Sequence, residues 1–189
     1  MTLKNRYFLL RHGQTNYQEM GLSYPWPDSS KAHLTKQGRM DIAKVAKNLK
    51  KTKIDLIFSS DLFRTRETAQ IVASALGLKI IFDKRLRDEN RGIYQGKPKE
   101  DYYRDFPLEK RFFQKAPKGN CWNDTKRDVV NFFKDIEKRY NKKSILLVAH
   151  GAPLWLLEGF LKKYNHNQLL DIIRQKTYIK MGELREIPR

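Results

Sequence analysis

Two short apolar runs in this chain end in the same way. One passes from Leu9-Leu10 through Arg11 to His12-Gly13, and the other runs Leu147-Val148-Ala149 into His150-Gly151. A short apolar run bounded by polar residues is the mark of a buried strand. In an open α/β sheet, functional groups collect beyond the carboxyl ends of the strands. Two histidines so placed, each followed by a backbone-permissive glycine, constrain the fold more than any other feature. They call for a sheet whose strands deliver side chains to one edge.

The rest of the chain supplies such a sheet. Strands are expected over Arg6–Leu10, Ile54–Phe58, Leu78–Phe82 and Ser144–Ala149. Between them run helical patterns. Thr35 is placed to cap one that buries Ile42, Val45, Ala46 and Leu49, and Ser59-Ser60-Asp61, good capping residues, lead into one with Leu62, Ala69, Val72, Ala73 and Leu76 on one side, stopped by Gly77. Asn123–Tyr140 carries Val129, Phe133, Ile136 and Tyr140 on one face, and Pro153–Leu161 reads as a further helix. A hairpin over Tyr178–Ile187, turning at Met181-Gly182, is expected last. Strands alternating with helices imply an α/β fold with a largely parallel sheet. Residues 84–118 break the pattern with dense charge, Pro98, Pro107, Pro117 and six aromatics, and read as an excursion made of short helices.

Composition narrows the class. At 189 residues, one domain over 1–189 is expected, with 84–118 as an insert within it. The single cysteine, Cys121, excludes an intramolecular disulfide framework and any multi-cysteine metal site. The first apolar run is too short for a secretory signal and no stretch reaches the ~18 apolar residues of a spanning helix, so a cytoplasmic protein with no membrane partner is expected. Lys+Arg number 39 against 21 Asp+Glu, a formal charge of +18. Such an excess favours polyanions or phosphorylated substrates. Counted along the chain it is even, at 9, 11, 12 and 7 basic residues in 1–50, 51–100, 101–150 and 151–189. A nucleic-acid binder more often concentrates its charge on one face. No nucleic-acid motif is present, and no specific nucleic-acid partner is expected.

If the Ile54–Phe58 strand is also parallel, it delivers Arg64 to the edge that holds Arg11, His12 and His150. One histidine near a strand end is more often a hydrogen-bonded structural residue than a catalyst. Paired histidines joined by two arginines form a cationic pocket suited to a phosphoryl group. Arg matches phosphate oxygens with a fork of donors, and fixed positive charge stabilises the spread negative charge of phosphoryl transfer.

These residues resemble the histidine phosphatase superfamily, also called phosphoglycerate mutase-like. The likeness lies in Arg11-His12-Gly13-Gln14-Thr15, in Leu34-Thr35-Lys36-Gln37-Gly38, and in the run from Ile57 to Ala69 that contains Ser59-Ser60-Asp61 and Arg64-Thr65-Arg66-Glu67-Thr68. It continues in Leu86-Arg87-Asp88 with Gly92 and Gly96, and in Val148-Ala149-His150-Gly151, over roughly residues 6–155. The resemblance implies a three-layer α/β/α sandwich with a largely parallel central sheet and a small, mostly helical insert over the site. It implies a nucleophile at His12 that becomes a phosphohistidine, with Arg11, Arg64 and His150 holding the phosphoryl oxygens, Gln18 and Gly151 beside them, and neither metal nor cofactor. The leaving-group acid falls on Asp88, four residues before Gly92, with Glu89 as the alternative.

The chain departs from the family at that acid, where Glu is usual, and at Gln18, Gln14 and Gly119-Asn120-Cys121, where Asn, Glu and Gly-Glu-Ser are common. Its modest insert favours the phosphatase branch, acting on a small phosphorylated substrate, over mutase-type phosphoryl transfer. A non-catalytic phosphate-binding member is the third reading. Arg91, Lys97, Lys99, Arg104, Lys110, Arg111, Lys115 and Lys118 of the insert either grip a second acidic group of the substrate or are solvated. Cys121 is expected to be buried and structural. Trp26 is expected to pack at the entrance, and His33 and His166 match no motif. The oligomeric state is left open by the sequence.

Overall fold

The computed structural model describes residues 3–188. Five strands form one sheet: β1 (Arg6–Arg11), β2 (Leu56–Ser59), β3 (Ile80–Phe82), β4 (Ser144–Ala149) and β5 (Leu184–Glu186), in the order β3-β2-β4-β1-β5. All neighbours are parallel except β5, which runs antiparallel to β1. Side chains alternate across β1. Tyr7 and Leu9 enter one apolar cluster with the helices α5 (Trp122–Arg139) and α6 (Gly151–Leu161); Phe8 and Leu10 enter another with α2 (Lys36–Leu49) and α3 (Phe63–Leu76). A parallel sheet buried on both faces requires apolar strands, and every residue of β4 is buried. The expected three-layer α/β/α sandwich is the fold observed.

The family motifs have local structural reasons. The Thr35 hydroxyl accepts the Gly38 amide at 3.0 Å and opens α2. Gly38 lies so close to the turn after β1 that a Cβ would fall 2.3 Å from the Gln14 carbonyl oxygen. The Thr68 hydroxyl accepts the Gly13 amide at 3.2 Å and donates to the Arg64 carbonyl at 2.8 Å, tying α3 to the end of β1. Glu67 accepts the Leu34 amide at 2.7 Å.

Several expectations are corrected. No hairpin forms over Tyr178–Ile187: only Leu184–Glu186 is strand, and the Ile179 carbonyl receives the Arg11 side chain instead of a ladder partner. Ser59-Ser60-Asp61 do not cap α3, whose N-cap is Leu62 with no side-chain hydrogen bond. β2 and β3 begin two residues later than expected, at Leu56 and Ile80. α6 begins at Gly151, with Pro153 tolerated in its first turn, where the amide has no helical partner. A short helix α1 (Asn16–Glu19) and a late helix α7 (His166–Arg174) lie in stretches for which the sequence reading offers no element. The excursion at 84–118 holds two 3-10 turns and α4 (Lys99–Asp105), packed through Tyr94, Tyr102, Phe106 and Ala116.

Candidate active site

The carboxyl ends of β1, β4 and β2 lie side by side. Arg11 is in register with Ala149, the His12 amide donates to the Ala149 carbonyl at 3.0 Å, and the Ser60 amide donates to the Val148 carbonyl at 3.0 Å. This register brings His12 and His150 together, with ring centroids 5.3 Å apart. Both rings are buried, and burial followed by the Arg64 charge holds each imidazole well below its usual pKa. Both are therefore neutral at ordinary pH. A neutral ring has one N–H, and a carbonyl only accepts. The 2.8 Å contact between His12 Nδ1 and the Gly13 carbonyl thus assigns the proton to Nδ1 and leaves a lone pair on Nε2. Ser60 Oγ lies 2.9 Å from His150 Nε2 and accepts the Leu62 amide at 3.3 Å. With the Ser60 hydroxyl donating to His150 Nε2, the His150 proton sits on Nδ1.

Two buried guanidinium groups complete the cluster. Arg11 Nη1 donates to the Ile179 carbonyl at 3.1 Å, and its plane rests against Gly151, where a Cβ would lie 3.2 Å from Arg11 Cζ. Arg64 donates from Nη1 to Asp28 at 2.5 Å and from Nη2 to Asp88 at 3.1 Å, and stacks on Tyr24 with Cζ 3.8 Å from the ring centroid. Arg11 Nε, Arg64 Nε and His150 Nδ1 are buried without a hydrogen-bond partner. Buried donors ordinarily find acceptors. Three such nitrogens on adjoining side chains make a receptor for an oxyanion. Gln18 lines the same pocket, with its side-chain oxygen likewise unpartnered.

The two candidate acids differ sharply. Both line the pocket, but Asp88 keeps 22 % side-chain exposure and touches Arg64. Glu89 keeps 6 % and is held by two donors, Arg91 Nε at 3.1 Å and the Trp122 indole. Asn120, at the family's Glu position, accepts the Asn90 amide at 2.7 Å and so braces the loop that carries both acids. Cys121 is buried, as expected, with its thiol 3.4 Å from Asp124.

Of the insert cations, Arg91, Lys99 and Arg111 line the mouth. Arg104 pairs with Asp101 and Asp105, and Lys115 with Asp124. Trp26 lines the entrance beneath Arg87, as expected. His166 packs on Phe112, and His33 is exposed beside the Ser30 carbonyl. Sequence reasoning missed Asp28 and Tyr24, and gave Ser60 no part in orienting His150. A loop reading Trp26-Pro27-Asp28-Ser29-Ser30 resembles any turn, and nothing in it points to Arg64.

Comparison with known proteins gives the family and the fold. The family model described as "Histidine phosphatase superfamily (branch 1)" matches residues 7–182. The "Putative phosphoserine phosphatase 2" of Hydrogenobacter thermophilus is 30 % identical over 156 residues, covering 79 % of this chain and 74 % of the relative. The "Probable phosphoglycerate mutase GpmB" of Escherichia coli is 31 % identical over 156 residues, covering 79 % and 71 %. Among solved structures, a mycobacterial glucosyl-3-phosphoglycerate phosphatase superposes with a TM-score of 0.81 at 23 % identity, covering 96 % of this chain and 88 % of the other, a likeness of fold.

Proposed function

The chain belongs to the histidine phosphatase superfamily, and on that footing we propose that it hydrolyses a small phosphomonoester through a phosphohistidine on His12. The observation that carries this reading is the His12 ring, neutral and with its Nδ1 proton committed to Gly13. Nε2 attacks phosphorus, a P–N bond forms, and the bond to the substrate oxygen breaks. Arg11, Arg64 and His150 Nδ1–H stabilise the charge on the phosphoryl oxygens, together with Gln18 and the α6 amides that start at Gly151. Asp88 protonates the departing oxygen. In the second half a water gives its proton to the Asp88 carboxylate and attacks phosphorus. The P–N bond breaks, inorganic phosphate leaves, and His12 is neutral again. Side chains supply the positive charge for both steps.

Relatives named as phosphatases support hydrolysis, and the modest insert supports a small substrate. A relative named for a phosphoglycerate mutase favours a second reading, in which a substrate hydroxyl takes the place of water. The test is release of inorganic phosphate from a panel of phosphomonoesters in chelator, with His12→Ala beside the parent. The parent is expected to turn over, His12→Ala to lose at least a thousandfold, and a brief pulse to leave acid-labile phosphate on His12. Full activity in His12→Ala, or phosphate on another residue, overturns the proposal. An isomerised ester without inorganic phosphate selects the second reading, and binding without turnover a non-catalytic one.

A further inference from the structure

Folding gathers ten of the 39 basic residues at one edge of the sheet. The entries of four neighbouring strands, β3-β2-β4-β1, lie on the sheet edge opposite the two histidines. Lys79 directly precedes β3, Lys53 precedes β2, Lys142 and Lys143 precede β4, and Lys4 precedes β1. Backbone contacts join these entries: the Lys142 amide donates to the Lys4 carbonyl at 3.0 Å, Arg6 to Lys143 at 2.8 Å and Asp55 to Ser144 at 2.8 Å. In a parallel α/β sheet the helices return to this same edge. The end of α2 brings Lys47, Lys50 and Lys51, and the end of α5 brings Lys138 and Arg139. All ten side chains are exposed.

Among the described residues, none of these ten forms an ion pair, although thirteen other Lys and Arg side chains do, Arg6 at the β1 entry with Glu186 among them. The carboxylates of the same segments are engaged internally. Asp55 accepts the Ser144 amide at 2.8 Å, and Glu137 is buried against Tyr7, Asn5 and the Lys4 amide. Helix dipoles account for cations in the last turns of α2 and α5. They do not account for Lys4, Lys53, Lys79, Lys142 and Lys143, which sit at strand entries.

We propose that this basic pole docks the sugar–phosphate backbone of a nucleic acid without regard to sequence, leaving the catalytic mouth free on the far side. Four strand entries at about 4.8 Å spacing make a ridge roughly 15 Å long, which spans about four phosphates of one duplex strand. Of the exposed large apolar side chains, Ile81 and Phe82 follow Lys79 along the edge strand β3 and the others lie outside these segments, so the pole has little of what an interfacial membrane site inserts. Exposed Phe82 stands at the opposite, carboxyl end of β3, and among the described residues the strand entries offer no exposed aromatic ring for base stacking, which leaves the backbone as the recognised element.

The experiment is fluorescence anisotropy of a labelled 24-base-pair DNA duplex without terminal phosphates, titrated at ~50 and ~200 mM salt. About four released counterions predict a loss of affinity of roughly a hundredfold over that range. Charge reversal of Lys50, Lys51, Lys53 and Lys143 to Glu is expected to weaken binding at least tenfold and flatten the salt slope. The same reversal at exposed Lys31, Lys36, Lys110 and Lys163 matches the net charge, and is expected to change affinity by less than threefold. Turnover of a small aryl phosphate reports that each set of variants is folded. Equal losses in the two sets, no binding at the lower salt, or retention by vesicles one-third anionic without retention by the duplex would each overturn the proposal.

Discussion

Asp28 Oδ2 lies 2.5 Å from Arg64 Nη1, and both side chains are sealed from solvent, at 0 % and 1 % exposure. The same carboxylate accepts the Phe63 amide at 2.5 Å, so one residue of the entrance loop fixes both the start of α3 and the guanidinium it presents. Removing one partner of a buried ion pair costs about 3 kcal/mol or more. Asp28→Asn is expected to lower unfolding stability by roughly 3 kcal/mol and kcat/KM for phosphomonoesters at least tenfold. Saturating inorganic phosphate should restore more stability to the variant than it adds to the parent, because it returns an anion to Arg64. Urea melts with and without phosphate check this. An equal phosphate increment in both proteins would show that Asp28 does not hold Arg64 for the substrate.

The two neutral histidines give stability a signed pH dependence. Burial and the Arg64 charge depress His12 and His150 in the folded state, whereas the unfolded chain takes up protons at an ordinary imidazole near pH 6.5. Below that value the unfolded state binds more protons, so stability is fully present above about pH 6.5 and declines as the pH falls beneath it. Each histidine contributes a slope approaching ~1.4 kcal/mol per pH unit. Unfolding free energies at pH 7.5, 6.5 and 5.5 are expected to fall with pH, and His150→Asn to flatten the curve. A parent curve flat over that range would mean that the two rings titrate normally.

Much of the site was legible because strand period and strand ends are sequence properties. Apolar runs fixed where β1 and β4 stop, and the residues after each stop, His12 and His150, could only fall at one edge. Arg64 followed from the same logic on β2. What escaped the sequence acts through space rather than along the chain. Asp28 reaches Arg64 across 36 positions from a loop with no period, and Ser60 reads as a helix cap until β4 is laid beside β2. The missing hairpin has a similar cause: Ile179 is buried and strand-like in sequence, but its carbonyl accepts the Arg11 guanidinium. Charge was the least legible feature, since an even count along the chain hides the basic pole that forms when four strand entries line up.

Ser60 offers a test of how His150 is oriented. Its hydroxyl lies 2.9 Å from His150 Nε2, and a hydroxyl donating there leaves the proton on Nδ1. Ser60→Ala removes the donor and permits the other tautomer, which presents a lone pair to the phosphoryl oxygens. Stability is expected to change by about 1 kcal/mol, while kcat falls about tenfold with little change in KM. Nitrogen NMR of the His150 ring reads the tautomer directly. An unchanged Nδ1–H signal in the variant would show that another contact sets it.

Asp88 and Glu89 separate on leaving-group dependence. An acid that protonates the departing oxygen matters most when that oxygen is a poor leaving group. Both carboxylates line the pocket; Asp88 pairs with Arg64, whereas Glu89 is tied to Arg91 and Trp122. Asp88→Asn is expected to slow an alkyl phosphate at least a hundredfold and a nitrophenyl phosphate less than tenfold. Glu89→Gln breaks the charge pair with Arg91 and should slow both esters by the same factor while lowering the melting temperature. Rates for the two esters across both variants decide the assignment. A leaving-group-dependent loss in Glu89→Gln, together with a uniform loss in Asp88→Asn, would exchange the two roles.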